Sequence, residues 1–215
     1  MLDEAIKYLK KSDPVLKELI DTVGSCQLNH IPKQSNLLEE MTRAIISQQI
    51  STKAAQAIYQ RFLELYTYQE TLTLTPEAIL DTPEHKLREV GISRPKIRYL
   101  QHLATRIIAG FPIIEELSAM DDETVITTLT QVKGVGRWTA QMLLIFRLHR
   151  LDVLPIDDLG IRKAIQNLYH LEQLPDKHSL NNLGQKWKPY RSIACWYLWQ
   201  SLETTIKNNR TKIVN

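Results

Sequence analysis

Apolar residues along most of this chain recur every three or four positions, the spacing that places them on one face of an α-helix. The first such stripe covers residues 2–9, and the longest covers residues 54–66. No segment alternates apolar and polar residues clearly enough to predict a strand. The pattern therefore predicts an all-α protein of roughly ten helices.

Capping residues close to a proline predict where several helices begin. The three segments are Ser12-Asp13-Pro14, Thr75-Pro76-Glu77 and Thr82-Pro83-Glu84. In each, a side chain that accepts hydrogen bonds from first-turn amides precedes a proline whose fixed φ suits that turn. No linker is long enough to separate independent domains, so we expect a single unit over residues 1–215.

Composition narrows the class of protein. Of the 215 residues, 43% are hydrophobic and 24% are charged, which is typical of a globular chain and unlike a disordered one. No apolar run approaches the roughly 18 residues that span a bilayer, and the first residues do not resemble a secretory signal. Cys26 and Cys195 are too few for a disulfide framework or a four-thiolate metal cluster. We expect a soluble intracellular protein without membrane association.

The charges are segregated along the chain, although the net charge is only +3. Residues 86–106 carry six basic side chains against one acid, residues 131–150 carry four against none, and residues 186–215 carry six against one. Residues 64–85 and 111–124 compensate, with five acids each and no base. Such segregation suits a surface that faces phosphates. The alternative is a set of solvated helix faces that happen to be basic.

Residues 130–140 contain two glycines, Gly134 and Gly136, in a tight turn between a short helix and the next one. Such a turn exposes the backbone N–H groups at a helix N-terminus, where phosphate binds. Lys133 and Arg137 add positive charge on either side. The segment therefore predicts a phosphate-binding hairpin, with an ordinary helical turn as the alternative.

Four segments of the chain, in this order, resemble those of the helix-hairpin-helix DNA glycosylase superfamily. Residues 43–51 resemble the loop that enters DNA at the lesion, residues 132–136 the hairpin, and residues 154–162 the loop with the catalytic aspartate. Residues 187–192 followed by Trp199 resemble the alkylpurine branch, the 3-methyladenine DNA glycosylase II type.

This resemblance covers about residues 37–201 and implies the fold of that superfamily. The expected architecture has two intimately packed helical subdomains, with the active site in the cleft between them. Long members of the branch have a further, β-rich N-terminal domain, and we expect this chain to be a minimal form without it.

The resemblance implies that Asp158 is the catalytic carboxylate. In the family that position lies 20 residues beyond the tryptophan after the hairpin, which here is Trp138. A carboxylate stabilises the oxocarbenium-like sugar that forms when an N-glycosidic bond breaks. Asp157 is then a neighbour that points elsewhere; the alternative is that both aspartates only cap a helix.

The base pocket implied by the resemblance contains Trp138, Trp199, Met142 and Leu159. Members that cleave the strand have a lysine where this chain has Trp138, so water is the expected nucleophile and an abasic site the product. The two indoles suit a cationic purine, although core packing is the alternative for each. Met142 and Leu159 replace tyrosines of the best-known members, which makes the pocket less aromatic.

The resemblance also implies which residues contact DNA. Gln48 and Gln49 are expected to fill the gap left by a flipped nucleotide, with a helix-capping role as the alternative. Arg94 and Lys96, at another helix start, are expected to contact phosphate. The hairpin residues expected to bind DNA are Lys133, Gly134, Val135, Gly136 and Arg137.

No cofactor is expected to be required. The superfamily's hairpin can hold a monovalent cation through main-chain oxygens, which here are those of Thr130, Val132 and Val135.

The sequence therefore predicts a monofunctional DNA glycosylase that flips and excises alkylated purines such as 3-methyladenine from double-stranded DNA. The alternatives are a glycosylase for deaminated or oxidised bases and a catalytically silent module that binds damaged DNA. We expect a monomer whose product passes to abasic-site repair enzymes. It would act in the cytoplasm at the nucleoid of a bacterium, or in the nucleus of a eukaryote.

Overall fold

The computed structural model describes residues 2–28, 36–68 and 71–213, with side chains through residue 202. Within these ranges the chain forms thirteen α-helices, a short 3-10 turn and two strands of two residues each. The prediction of an all-α protein is confirmed. None of the helices formed by the described residues is long and apolar enough to cross a bilayer.

The helices follow one another with few other elements between them. They are α1 (Leu2–Ser12), α2 (Pro14–Val23), α3 (Leu37–Ser47), α4 (Thr52–Glu64), α5 (Pro76–Asp81), α6 (Glu84–Glu89), α7 (Arg94–Ile108), α8 (Ile114–Ala119), α9 (Asp122–Leu129), α10 (Arg137–Phe146), α11 (Leu159–Leu168), α12 (Lys177–Gly184) and α13 (Arg191–Ile213). The strands β1 (Thr67–Tyr68) and β2 (Thr71–Leu72) lie between α4 and α5, and the 3-10 turn covers Gln185–Trp187.

The sequence prediction was wrong in two details. It gave roughly ten helices, whereas the described residues form thirteen. One helix that no sequence pattern indicated is α8, which has only six residues and shows less than two turns of periodicity. It also gave no strand, whereas Thr67 pairs with Leu72 and Tyr68 with Thr71. Two exposed residues per strand are too few to produce an alternating pattern.

Helices begin at all three predicted segments, but only two of them have the predicted side-chain cap: α6 begins at Glu84 with Pro83 as its N-cap residue and no side-chain hydrogen bond. Asp13 caps α2 and accepts from the Val15 amide at 3.0 Å, with Pro14 in the first turn. Thr75 caps α5 in the same way, through a hydrogen bond of 3.1 Å from the Ala78 amide. These caps satisfy amides that would otherwise have no partner within the helix.

The chain forms two compact units, residues 1–32 with 144–215 and residues 33–143. In the second unit, α7 is the central helix: it packs against α3, α5 and α6 through a fully buried stripe. The residues of that stripe are Ile97, Leu100, Leu103 and Ala104.

In the first unit, the buried carboxylate of Asp13 joins the two ends of the chain. Its Oδ2 accepts from the Tyr169 hydroxyl at 2.5 Å and from Trp187 Nε1 at 2.8 Å, and Lys186 Nζ lies 3.2 Å away. Burial raises the pKa of Asp13, but these donors and the lysine charge outweigh it and hold the pKa below its ordinary value. The N-terminal helices are thereby fixed to the C-terminal part of the chain.

Candidate active site

Asp158 lies at the start of α11, inside the predicted loop of residues 154–162. It is the N-cap of that helix and is only 7% exposed. Its Oδ1 accepts a hydrogen bond from the Ile161 amide at 2.7 Å and another from Trp199 Nε1 at 3.1 Å. Two N–H donors on one carboxylate oxygen fix the orientation of the group.

Gly160 allows the close approach of Trp199 to Asp158. A Cβ at Gly160 would lie 3.0 Å from Asp158 Oδ1 and 3.3 Å from Trp199 Cδ1, both tighter than ordinary packing. Sequence reasoning missed this residue. The available signal was a glycine in the first turn of a helix, where it costs stability relative to alanine.

The neighbouring Asp157 has a different environment. Its Oδ1 forms an ion pair of 2.5 Å with Lys177 Nζ, and both side chains are exposed. The two adjacent aspartates thus differ in burial and partners: Asp158 is held by backbone and indole N–H groups, and Asp157 by a surface lysine. This difference agrees with the expectation that Asp157 points elsewhere.

Partly exposed apolar side chains accompany Asp158. Trp199 is half-buried, and its ring lies 5.5 Å from that of Phe146, centroid to centroid, at an interplanar angle of 31°. Leu159, in the next position along the chain, is 51% exposed. Sequence reasoning missed Phe146, although its position four residues after Met142 puts both on one face of α10.

The segment at residues 187–192 fixes the chain that leads into the Asp158 loop. Arg191 Nε donates to Asp152 Oδ1 at 2.6 Å, and its Nη2 donates to Asp152 Oδ2 at 2.9 Å. Ser192 Oγ accepts from the Val153 amide at 3.0 Å. A bidentate arginine pair is geometrically demanding, so it defines the path of the backbone just before residue 154.

The predicted hairpin is supported by α7. Gly134 has a φ of +81°, and a Cβ there would overlap the Tyr99 ring. The Lys133 amide donates to His102 Nδ1 at 3.1 Å. Partial burial and nearby basic side chains keep the pKa of His102 below its ordinary value, which favours the neutral ring that accepts this bond.

Two amides of the hairpin are open to a ligand. Among the described residues, neither Gly134 N nor Gly136 N donates to an acceptor, and both residues are exposed. The space beside Gly136 is open, since a Cβ there would meet no atom within 4 Å. N–H groups at the start of a helix are a site for phosphate, and Lys133 beside them is exposed.

Two of the predicted DNA-binding cations form exposed ion pairs. The Arg137 guanidinium pairs with both oxygens of Glu123, and Arg94 Nε lies 3.1 Å from Glu84 Oε1. Exposed pairs of this kind contribute about 0–1 kcal/mol. Both arginines can therefore exchange a carboxylate for a phosphate at small cost.

Lys96, for which a phosphate contact is predicted, forms hydrogen bonds within the protein. Its Nζ donates to the main-chain oxygens of Ile46 and Gln48, each at 2.7 Å. Partial burial lowers the pKa of Lys96 from its ordinary value. The ammonium is committed to the end of α3, because helix C-terminal carbonyls lack partners within the helix and attract cations.

The two glutamines of the predicted loop differ in their surroundings. Gln48 is half-buried, and its Nε2 donates to the Gly134 carbonyl at 2.8 Å. Gln49 is exposed and has a φ of 59°, in the left-handed region. In the sequence, two adjacent glutamines could not be assigned different roles.

Trp138 and Met142 both lie on α10. Trp138, in the first turn of the helix, is 42% exposed, which is unusual for so large an aromatic side chain. Met142 is half-buried one turn later. The pocket role of both residues stays a prediction.

The predicted cation ligands are main-chain oxygens next to the hairpin glycines. The Val132 carbonyl accepts from the Val135 amide at 3.0 Å, which leaves it one lone pair for another partner. Within the described ranges, no group of three or more His, Cys, Asp or Glu side chains could hold a metal ion.

The fold and these features together define a class of protein. A mostly helical chain with a glycine hairpin whose amides are open, followed by a buried helix-capping aspartate held by a tryptophan, has the parts of a helix-hairpin-helix base excision protein. Residues 42–189 match the HhH-GPD superfamily of base excision DNA repair proteins, and the chain belongs to this superfamily. The resemblance found in the sequence is thereby confirmed.

Two curated relatives cover nearly the whole chain. It is 38% identical to DNA-3-methyladenine glycosylase 1 of Schizosaccharomyces pombe, over 93% of this chain and 87% of that protein. It is 33% identical to the alkylbase DNA glycosidase-like protein mag2 of the same yeast, over 91% of this chain and 92% of that protein.

Two solved structures are similar throughout. The 3-methyladenine DNA glycosylase of Schizosaccharomyces pombe in complex with abasic DNA has a TM-score of 0.85 at 37% identity, covering 93% of this chain and 97% of that one. A DNA-3-methyladenine glycosidase from Bacillus halodurans has a TM-score of 0.79 at 33% identity, covering 94% and 91%.

Proposed function

We propose that this chain is a monofunctional DNA glycosylase of base excision repair that hydrolyses alkylated purines of the 3-methyladenine type from double-stranded DNA. The observation that carries the proposal is the Asp158 carboxylate, buried and oriented by the Ile161 amide and the Trp199 indole. The names of its relatives, DNA-3-methyladenine glycosylase and alkylbase glycosidase, support the choice of substrate.

The reaction requires stabilisation of a sugar cation. As the bond between C1′ and the purine nitrogen breaks, its electron pair goes to the purine, which leaves as a neutral base if it was cationic. The Asp158 carboxylate stabilises the positive charge that develops at C1′. Water then adds to C1′ and loses a proton to Asp158, which leaves an abasic site and an intact strand.

The remaining side chains are assigned by chemistry. With tryptophan at position 138, no lysine amine is present there to form a Schiff base, so the enzyme has no lyase step. We assign Trp138 and Trp199 to stacking on the cationic purine, which cation–π attraction favours by about 0.5–2 kcal/mol. We assign Met142 and Leu159 to apolar contacts with the base.

DNA binding is assigned to the hairpin and to the loop after α3. The open amides of Gly134 and Gly136 and the Lys133 charge bind phosphate, and Arg137 and Arg94 join after releasing their carboxylate partners. Val135 is buried beneath them and supports the turn. The loop fills the gap that the flipped nucleotide leaves.

We assign the main-chain oxygens of Thr130, Val132 and Val135 to a monovalent cation, since neutral carbonyls suit a weakly charged hard ion. The chemistry itself needs no cofactor. The enzyme acts as a monomer, in the cytoplasm of a bacterium or the nucleus of a eukaryote, and abasic-site repair enzymes take its product.

The test is the incubation of the protein with methylated duplex DNA and the identification of the released bases by chromatography. Release of 3-methyladenine by the wild-type chain, and not by D158N, is the expected result. Release of hypoxanthine or an oxidised base instead would change the substrate class. If the protein binds damaged duplex tightly but releases no base, it is a catalytically silent DNA-binding module and not a glycosylase.

A further inference from the structure

One lysine forms hydrogen bonds to the start of the loop of residues 48–51, which connects α3 to α4. Lys96 lies in the first turn of α7 and reaches two carbonyls of a segment about 50 residues earlier in the chain. These carbonyls, of Ile46 and Gln48, are at the end of α3, where the helix supplies no N–H partner. The ammonium thus fixes the backbone at the point where the chain leaves the helix.

The same loop is also bonded to the hairpin. Gln48 Nε2 donates to the carbonyl of Gly134, whose own amide is open to a phosphate. Tyr99, one turn after Lys96 on α7, lies against the α-carbon of Gly134 and leaves no room for a side chain there. Helix α7 therefore contacts the loop through Lys96 and the hairpin through Tyr99. Gln48 joins the loop directly to the hairpin.

The connection decides which glutamine is available to DNA. The amide of Gln48 is engaged with Gly134, whereas Gln49 is exposed at a left-handed position where the backbone turns. Because Lys96 holds the Gln48 carbonyl, the backbone at Gln49 has fewer accessible conformations. Holding a group in its productive geometry before binding lowers the entropy lost on binding.

We propose that Lys96 and Gln48 are positioning residues: they hold the loop in register with the phosphate-binding hairpin, so that Gln49 enters the gap left by the flipped nucleotide. This inference rests on the proposed function. According to this inference, Lys96 does not contact phosphate, and Gln48 does not enter the gap left by the flipped nucleotide.

The test compares K96M with K133M in two measurements. Methionine keeps most of the volume of lysine without its charge. For K96M we expect a loss of about tenfold in the single-turnover rate of base release. Its affinity for undamaged duplex should change less than twofold and its salt dependence should be unchanged. For K133M, the exposed lysine of the hairpin, we expect weaker binding to damaged and undamaged duplex alike and a salt slope reduced by about one.

The conservative variant and a double-mutant cycle separate positioning from a general loss of structure. K96R keeps a donor for the two carbonyls and should recover most of the rate. K96M and Q48A should be non-additive, the double variant losing little more rate than the worse single one, because both remove support from the same loop. Should K96M fail to fold by circular dichroism, K96R and Q48A still carry the comparison.

The outcomes are distinguishable from a failure of the proposed function. If the wild-type chain releases no base, the proposed function fails. If the wild type is active and K96M behaves like K133M, then Lys96 is a phosphate contact and the inference is wrong. Full activity of both K96M and Q48A would also overturn it, as would multiplicative losses in the double variant.

Discussion

Trp199 Nε1 and the Ile161 amide donate to the same oxygen of Asp158, at 3.1 and 2.7 Å. The carboxylate is therefore held by a helix N-terminus on one side and by an indole from α13 on the other. Gly160 makes this arrangement possible, because any side chain at that position would press on both Asp158 and Trp199.

D158N should reduce base release by at least about a hundredfold, because the amide no longer stabilises positive charge at C1′. Binding to undamaged duplex should be preserved, since affinity comes mainly from phosphates. D157N is the matched control and should stay within about twofold of wild type. Single-turnover assays on methylated duplex measure both. An inactive D157N with an active D158N would place the catalytic residue one position earlier.

G160A should lower the rate of base release while leaving the fold intact. Alanine raises helix propensity by up to about 1 kcal/mol, so a loss of stability is not expected from the helix itself. The added methyl lies 3.0 Å from Asp158 Oδ1 and 3.3 Å from Trp199 Cδ1, so one of them has to move. Thermal unfolding and single-turnover rates together check this prediction. If G160A is as active as the wild type, Asp158 and Trp199 can shift without affecting catalysis.

Borohydride should fail to trap a covalent complex between enzyme and DNA. Position 138 is a tryptophan, and without a lysine amine there no Schiff base forms. The reacted strand should break only after hot alkali, as gel electrophoresis of end-labelled duplex would show. Efficient trapping would exclude the water mechanism.

G134A and G136A should differ, although no sequence pattern distinguishes the two glycines. Gly134 has a positive φ and its Cβ would overlap the Tyr99 ring, so G134A should destabilise the protein by about 1–3 kcal/mol. G136A meets no neighbour and should fold like wild type. If the Gly136 amide binds phosphate, G136A weakens binding to damaged and undamaged duplex by similar factors. Urea unfolding and binding titrations provide the measurements.

The stability contributed by Asp13 should depend on pH. Its folded pKa is lowered, so the contribution is fully present above the unfolded value of about 3.9 and is lost as the pH falls through the folded pKa. D13N keeps a capping oxygen but loses the charge, and should cost about 1–3 kcal/mol near neutral pH. Urea unfolding of both proteins from pH 3 to pH 7 measures the difference, which should shrink below about pH 4. A constant difference would mean that the charge of Asp13 plays no part.

The sequence by itself determined the helical fold, several helix starts and the order of the functional segments. Asp13, Thr75 and Asp158 each act on amides two or three residues further along, so neighbouring residues are enough to predict their caps. Helical periodicity is local in the same way. The two strands were not predicted, because an alternation of apolar and polar residues cannot be recognised in two residues.

Only the tertiary structure decided what the polar side chains of the site contact. Lys96 had the position of a phosphate ligand, but its partners lie 48 and 50 residues away in the chain, and those of Asp13 include Trp187, 174 residues away. The hydrogen bond from Gln48 to Gly134 separates two adjacent glutamines that are identical in sequence terms. Such contacts join atoms that packing brings together, and no local pattern of residues encodes which distant carbonyl a donor will meet.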